Sequence, residues 1–369
     1  MRASESRISR STLLRGTAGL VAGGALAGGI AGSARAEPQP LAMTVTKVAD
    51  LTGPGLTTEW EMEATDLGIP VRTPDGRNLF VFGDTFEKTI GDPNWRSPVG
   101  LYSTTTDLAG GVKWSGAVGG DTARQFWDYP HNNPEFSTVL PSDVITIGNR
   151  IYLHAIVNKG GIGNVVRNEI WFSDDNGNTW HDTGARIPAN FAGGLAQLVG
   201  WGLGNDDFVY IYSTGFQRDK PLILHRVRTA NLADTAAWEP WGWTSGGGWR
   251  WGQPATPILE GKFGELSFRP LGGKWILTWF NAGDYRMDGL IADTPTSNLY
   301  EAKRATFLHG TSWGNEDDTH VAQLYGGYVI PGSTLDDLHL SVSQWNTTPG
   351  AGNWPYRVMQ FRVQGFGSS

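Results

Sequence analysis

No cysteine occurs in the 369 residues. Neither a disulfide nor a lipid-modified cysteine is therefore available, and packing alone has to hold the core. Charge is sparse at 18%, and acidic side chains outnumber basic ones 36 to 29. An acidic balance argues against nucleic acid or an anionic membrane as partner. Segments rich in Ala, Leu, Glu and Lys with helical periodicity are absent, which excludes a mostly helical fold. The 7 histidines show neither H-E-x-x-H nor paired ligand spacing, so no metal and no cofactor is expected. A structural Ca2+ at the centre of the fold is compatible with the sequence, but no ligand set points to one.

One extended apolar run exists, residues 17–32, and glycines break it. It follows a basic, acid-poor stretch with Arg7, Arg10 and Arg15 and precedes Ser33-Ala34-Arg35-Ala36. That order is an export signal with an A-x-A cleavage site rather than a membrane span. We expect a signal peptide at 1–36, of general or twin-arginine-like type, although the adjacent arginine pair of the latter is missing. The mature chain, 37–369, keeps 24 basic and 35 acidic side chains, a formal charge of −11. It is expected as one secreted or envelope-located domain and as a monomer.

Glycine at 51 and tryptophan at 17 are both abundant, as in an all-β chain with many turns. Short apolar runs recur with a period of roughly 60 residues. Second strands are expected at 79–82, 151–154, 209–212, 275–278 and 338–341, each preceded by a first strand and followed by a third. Fourth strands are expected at 112–114, 179–181, 238–241 and 302–308. The fifth unit lacks one, and Met43-Thr44-Val45-Thr46 ahead of the first unit is placed to supply it. Four strands repeated five times predict a five-bladed β-propeller, with a sandwich as the alternative.

The most informative stretch is ATDLGIPVRTPDGRNLFVFGDTF, 64–86. Two apolar runs flank Thr73-Pro74-Asp75-Gly76-Arg77-Asn78, which predicts a hairpin. With the turn at Asp75-Gly76, paired numbers sum to about 150, and Asp66 meets Asp84. Opposed Cβ atoms lie about 5 Å apart, so one carboxyl has to titrate high. A carboxylic acid beside a carboxylate is the minimum equipment for acid/base cleavage of a glycosidic bond. Either aspartate alone reads as a strand-end residue binding a backbone N–H; the pairing is what points to chemistry.

In a propeller, polar residues at the entry ends of first strands face the channel. These are Asp66, the stretch 135–138, Gln197, Glu265, and Tyr325 with Tyr328. Glu265 enters an apolar strand just after Gly264, and a buried charge there needs either a cation such as Arg269 or a ligand. Trp345 ends the second strand of unit five, as Asp84 does in unit one, and is the preferred aromatic contact for a sugar. The histidines read as structural, with one alternative: His131 precedes the inner strand of unit two, within reach of the channel mouth. Ser173-Asp174-Asp175-Asn176-Gly177-Asn178-Thr179-Trp180 matches the Asp-box S-x-D-x-G-x-T-W, a turn motif that supports the fold. The Trp-rich segment 238–251 offers indoles for a carbohydrate cleft wall, although most are expected in the core.

The pair in T-D-L-G-I-P and L-F-V-F-G-D-T-F, together with TVLPSDVITIGNRIYLHAIVN at 138–158, Gly264-Glu265-Leu266-Ser267, and Tyr325-Gly326-Gly327-Tyr328 with Ser343-Gln344-Trp345, resembles one family. It is the former domain-of-unknown-function family 4185, now glycoside hydrolase family 183, the bacterial endo-D-arabinanases. The resemblance spans nearly the whole mature chain. It implies a five-bladed propeller that cuts internal α-D-arabinofuranosyl bonds in the arabinan of arabinogalactan and lipoarabinomannan. It also implies that Asp66 and Asp84 are the catalytic aspartates, sharing the acid and the base or nucleophile roles. Which takes which role, and whether the outcome is retaining or inverting, stays open at this level. A non-catalytic carbohydrate-binding propeller and an exo-acting furanosidase are the alternatives.

Overall fold

Turn chemistry at short intervals leaves no room for helices. In the computed structural model, which describes residues 42–133, 136–352 and 354–368, no helix exceeds four residues. None of the described helices is long and apolar enough to cross a membrane. The leader expected at 1–36 and Glu135 lie outside the described residues.

The strands follow one another as antiparallel meanders, described here as five units. The third and fourth are joined in one ten-stranded sheet through the pairing of 220–222 with 259–263, and the fourth ends in a parallel pairing of 309–311 with 320–322. The first runs Ile69–Arg72, Asn78–Phe82, Val99–Ser103 and Gly116–Ala117. The second is Thr138–Ile147, Arg150–Asn158, Val165–Ser173 and His181–Pro188. The third is Leu198–Leu203, Phe208–Thr214, Lys220–Arg228 and Glu239–Thr244, the last continuing into the hairpin strand Gly248–Trp251. The fourth is Leu259–Leu271, Lys274–Asn281, Arg286–Ala292 and Lys303–Thr311. The fifth, Leu324–Val329, Asp337–Trp345 and Tyr356–Gln364, takes Thr44–Asp50 as its outer strand. The chain start thus completes the unit that the chain end leaves unfinished, as the sequence predicts.

Two of the expected outer strands are displaced. Residues 112–114 are not a strand: Val112 N–H donates to Gln360 Oε1 at 2.9 Å, and Trp114 packs its ring edge-on against Phe80 and Phe82. The ladder starts at Gly116 instead. Residues 179 and 180 belong to the Asp-box turn, where Asp175 accepts from Thr179 N–H and Oγ1, and Trp180 Nε1 donates to Gly177 O. Trp180 lies buried against Phe126, centroids 4.9 Å apart.

First strands of successive meanders contact one another, and that of the fifth contacts that of the first. Hydroxyls stitch this ring. Thr146 Oγ1 donates to Arg72 O, Ser142 Oγ accepts from Val199 N–H, Ser267 Oγ from Val329 N–H, and Ser341 Oγ donates to Gly68 O. Across its middle, fully buried Asp143 pairs with Arg269 at 2.5 Å and accepts the N–H of Trp201 at 2.6 Å. Arg269 is therefore the partner of Asp143, not of Glu265. The core fills the gaps between meanders with stacked rings such as Tyr212 on Phe268, 3.9 Å apart. Each such side chain contributes about 1.5–3 kcal/mol by leaving water.

Candidate active site

The first hairpin has the register that its turn requires. Ile69 pairs with Val81 and Arg72 with Asn78, and beyond a break Thr65 pairs with Thr85 and Ala64 with Phe86. The break falls at Asp66–Gly68 because Leu67 and Gly68 take φ of 65° and 66°. For leucine this is a strained conformation. Leu67 N–H is held there by Ser343 Oγ at 2.8 Å. The kink turns Asp66 toward Asp84 at the open end of the hairpin.

Gly83 permits the close approach. A Cβ at this position would sit 2.4 Å from Asp66 Oδ1 and 3.0 Å from Leu67 Cδ1. Asp66 Oδ2 accepts from Tyr325 Oη at 2.8 Å, while Oδ1 is sealed from solvent without a hydrogen-bond partner. Asp84, 6% exposed, accepts on Oδ1 from Trp95 Nε1 at 2.8 Å and from Thr138 Oγ1 at 2.6 Å. Desolvation, then the charge of Asp84, push the Asp66 carboxyl up to about 7, against the lowering effect of the Tyr325 and Tyr356 hydroxyls. Desolvation pushes Asp84 up to about 6, against the lowering effect of its two donors.

Both aspartates line a cavity of about 1170 Å3. Its walls come from the same end of every meander: the entry of each first strand and the loop after each second strand. Asp84 and Trp95, Ile162, Arg218 and Tyr285 follow the second strands of units one to four in turn, and Trp345 ends that of unit five. Trp345 stands 37% exposed beside Tyr356, ring centroids 6.0 Å apart. His131 lines the wall, its ring tilted against those of Trp95 and Tyr129 at 4.5 and 4.6 Å, and its Nε2 lies 2.6 Å from Gln125 Oε1. Burial lowers its pKa to about 4, so the ring is neutral at pH 7 and buttresses the indole that donates to Asp84.

Glu265 also faces this cavity. Its Oε1 pairs with Arg218 at 2.5 Å, its Oε2 is buried without a partner, and Arg218 lies over the rings of Phe280 and Tyr325. Gln197 does not join the lining. Its Nε2 donates to Ala189 O and its Oε1 accepts Phe216 N–H, so the amide holds backbone rather than facing a ligand. Tyr328 is likewise buried in the core, away from the lining. The Trp-rich segment lies outside the cavity wall as well. Arg218 and Trp95 escaped the sequence reading. The signal for both was position, because each lies in the loop after a second strand, as Asp84 does, and Trp345 ends such a strand.

The family model described as domain of unknown function DUF4185 matches residues 52–362. The chain belongs to this family. Among DUF4185 relatives, an uncharacterized 35.9 kDa protein in the asd 3' region of Mycolicibacterium smegmatis is 32% identical, covering 86% of this chain and 97% of its own. Notoamide biosynthesis cluster protein J' of Aspergillus versicolor is 31% identical, covering 80% and 84%. A solved GH43_1 enzyme from Xanthomonas citri superposes with a TM-score of 0.51 at 10% identity, covering 86% of this chain and 91% of that one. At that identity the likeness is one of fold. Within the DUF4185 chain described here, none of the described residues forms a cluster of three or more His, Asp or Glu suited to a metal ion.

Proposed function

We propose that this protein is an endo-acting glycoside hydrolase on D-arabinan, its five meanders being the blades of a five-bladed β-propeller. The observation that carries this reading is the aspartate pair. Two carboxyls meet at one end of a hairpin, face one cavity, and are both raised into the range where one can hold a proton while its neighbour is charged.

The hydrogen bonds divide the roles. Asp84 accepts from an indole N–H, which can only donate, and from a threonine hydroxyl, so its surroundings favour the carboxylate. Asp66 leaves Oδ1 buried with no donor. Leaving a charged oxygen in that state is costly, and a proton on Oδ1 removes the cost. Asp66 is then the general acid that protonates the departing glycosidic oxygen. Asp84 is the base or nucleophile on the other side of the bond.

The cavity size supports an oligomeric ligand, since about 1170 Å3 exceeds the roughly 300–1,000 Å3 of pockets for single small molecules. Trp345, 37% exposed, offers an apolar face to a sugar ring, Tyr325 lines the wall with its hydroxyl on Asp66, and Glu265 with Arg218 offers an acceptor and donors to hydroxyls. D-arabinan as the polymer follows from the family resemblance, and action outside the cytoplasm from the leader at 1–36. The test is to incubate the mature protein with mycobacterial arabinogalactan and size the products, with Asp66→Asn and Asp84→Asn alongside. A ladder of arabino-oligosaccharides from the wild type alone is expected. Monosaccharide alone makes the protein exo-acting, and binding without products makes it a non-catalytic module.

A further inference from the structure

The outer strand of unit three continues into a hairpin that the cavity does not use. Its strands, Glu239–Thr244 and Gly248–Trp251, set Trp241 opposite Trp251 and Trp243 opposite Trp249. Alternation along both strands puts all four indoles on one face. The inner two anchor the hairpin: Trp251 lies beneath the Arg226 guanidinium at 4.2 Å, and Trp241 packs on Trp251 at 4.9 Å. The outer two are open, Trp243 at 50% and Trp249 at 42% exposure, and Trp249 lies within 15° of the Trp241 plane.

We propose that this face is a second glycan-binding site, distinct from the cavity, on which a neutral polysaccharide stacks its rings against Trp243 and Trp249. The presentation is rigid. Trp243 N–H donates to Thr256 Oγ1 at 3.0 Å, and Gly242 packs so closely that a Cβ would meet Pro254 O at 2.0 Å. An indole held open by such support has paid no ordering cost at the moment of binding. Extent decides the occupant. At roughly 150–250 Å2 per aromatic side chain, the two exposed portions offer on the order of 200 Å2, against about 800 Å2 per partner in a stable protein interface. That suits a few sugar rings and not a second copy of the chain. Charge agrees, since Arg226 is paired with Glu239 at the base and Arg250 lies opposite Gly242, on the other face. The hairpin pairs with His225 and Arg226, about 16–20 Å along the strand from its first residue Lys220 at a rise of 3.3 Å per residue, and Arg218 lies in the turn just before that strand. A polymer held there is tethered near the cavity without entering it.

The choice of polysaccharide rests on the hydrolase reading, and the assay separates the two. Full-length mature protein carrying Asp66→Asn is equilibrated with insoluble mycobacterial arabinogalactan, with xylan and cellulose alongside, and the unbound fraction is measured. Adding Trp243→Ala with Trp249→Ala is expected to weaken retention at least tenfold at unchanged melting temperature, while Trp243→Phe with Trp249→Phe restores most of it. In the active protein, the alanine pair is expected to leave hydrolysis of short soluble oligosaccharides unchanged and to slow attack on the insoluble polymer. Retention unaffected by the alanine pair, no retention of the parent on any of the three polymers, or self-association lost in the alanine pair would each overturn the proposal. Failure of the hydrolase reading is recognised separately, as absence of products from protein that still binds.

Discussion

Replacing Asp66 by asparagine is expected to stabilise the protein at alkaline pH while abolishing its chemistry. Burial and the neighbouring Asp84 hold the Asp66 carboxyl at about 7, against 3.8 for an ordinary aspartate. A difference of about three units corresponds to roughly 4 kcal/mol of ionisation penalty, which partial exposure to cavity water reduces to about 2 kcal/mol. The sign follows from proton release. Below pH 4 the carboxyl is neutral in both the folded and the unfolded chain, and the substitution changes little. Between pH 4 and 7 the unfolded chain gives up the proton and the folded one keeps it, so the wild type loses stability as pH rises; above 7 the full penalty stands. Asparagine never ionises. Urea unfolding at pH 4, 6 and 8 is therefore expected to show equal stability at the first and a gain of about 2 kcal/mol at the last. Turnover of arabinogalactan is expected to fall by about 10²–10⁴, the contribution of a positioned general acid. A gap that does not change with pH, or a variant less stable than wild type at pH 8, would show that Asp66 is charged in the fold and refute its role as the acid.

Activity against pH is expected to be a bell with limbs near 6 and 7, belonging to the coupled pair, because Asp84 must be charged and Asp66 protonated. Thr138→Val, which removes a donor to Asp84, should move the acid limb up by about one unit; an unmoved limb would separate Asp84 from that titration. Gly83→Ala places a methyl 2.4 Å from Asp66 Oδ1 and is expected to lower kcat about 10²-fold with the fold intact by circular dichroism. Arg218→Met strands the buried charge of Glu265 and should cost about 1–2 kcal/mol in urea unfolding, less than a fully buried pair because Arg218 is 38% exposed. Adding Glu265→Gln should recover most of that loss, and a double-mutant cycle without coupling would count against the pair.

What the sequence determined by itself was local. Pro74-Asp75-Gly76 dictates the turn, the turn dictates the register, and the register sets Asp66 level with Asp84, although the kink at Leu67 that completes their approach is held by Ser343 of unit five. The Asp-box was legible for the same reason, since Ser173, Asp175 and Thr179 bind one another within a few residues. Repetition of short strands made the all-β meanders readable, and the missing outer strand of the fifth unit pointed to the chain start. Only the tertiary structure decided which side chains surround the pair. Thr138 lies 54 residues from Asp84, Tyr325 lies 259 from Asp66, and Arg218 lies 47 from Glu265. Nothing in the local pattern distinguished Arg218 from Arg269 as the partner of Glu265. The choice was made by closure of the ring, which spends Arg269 on Asp143 at its centre and leaves a loop of the third unit to reach the cavity. Gln197 and Tyr328 show the same limit from the other side. Each lies in the part of the repeat that faces inward, yet backbone acceptors and core packing claimed their side chains before any ligand could.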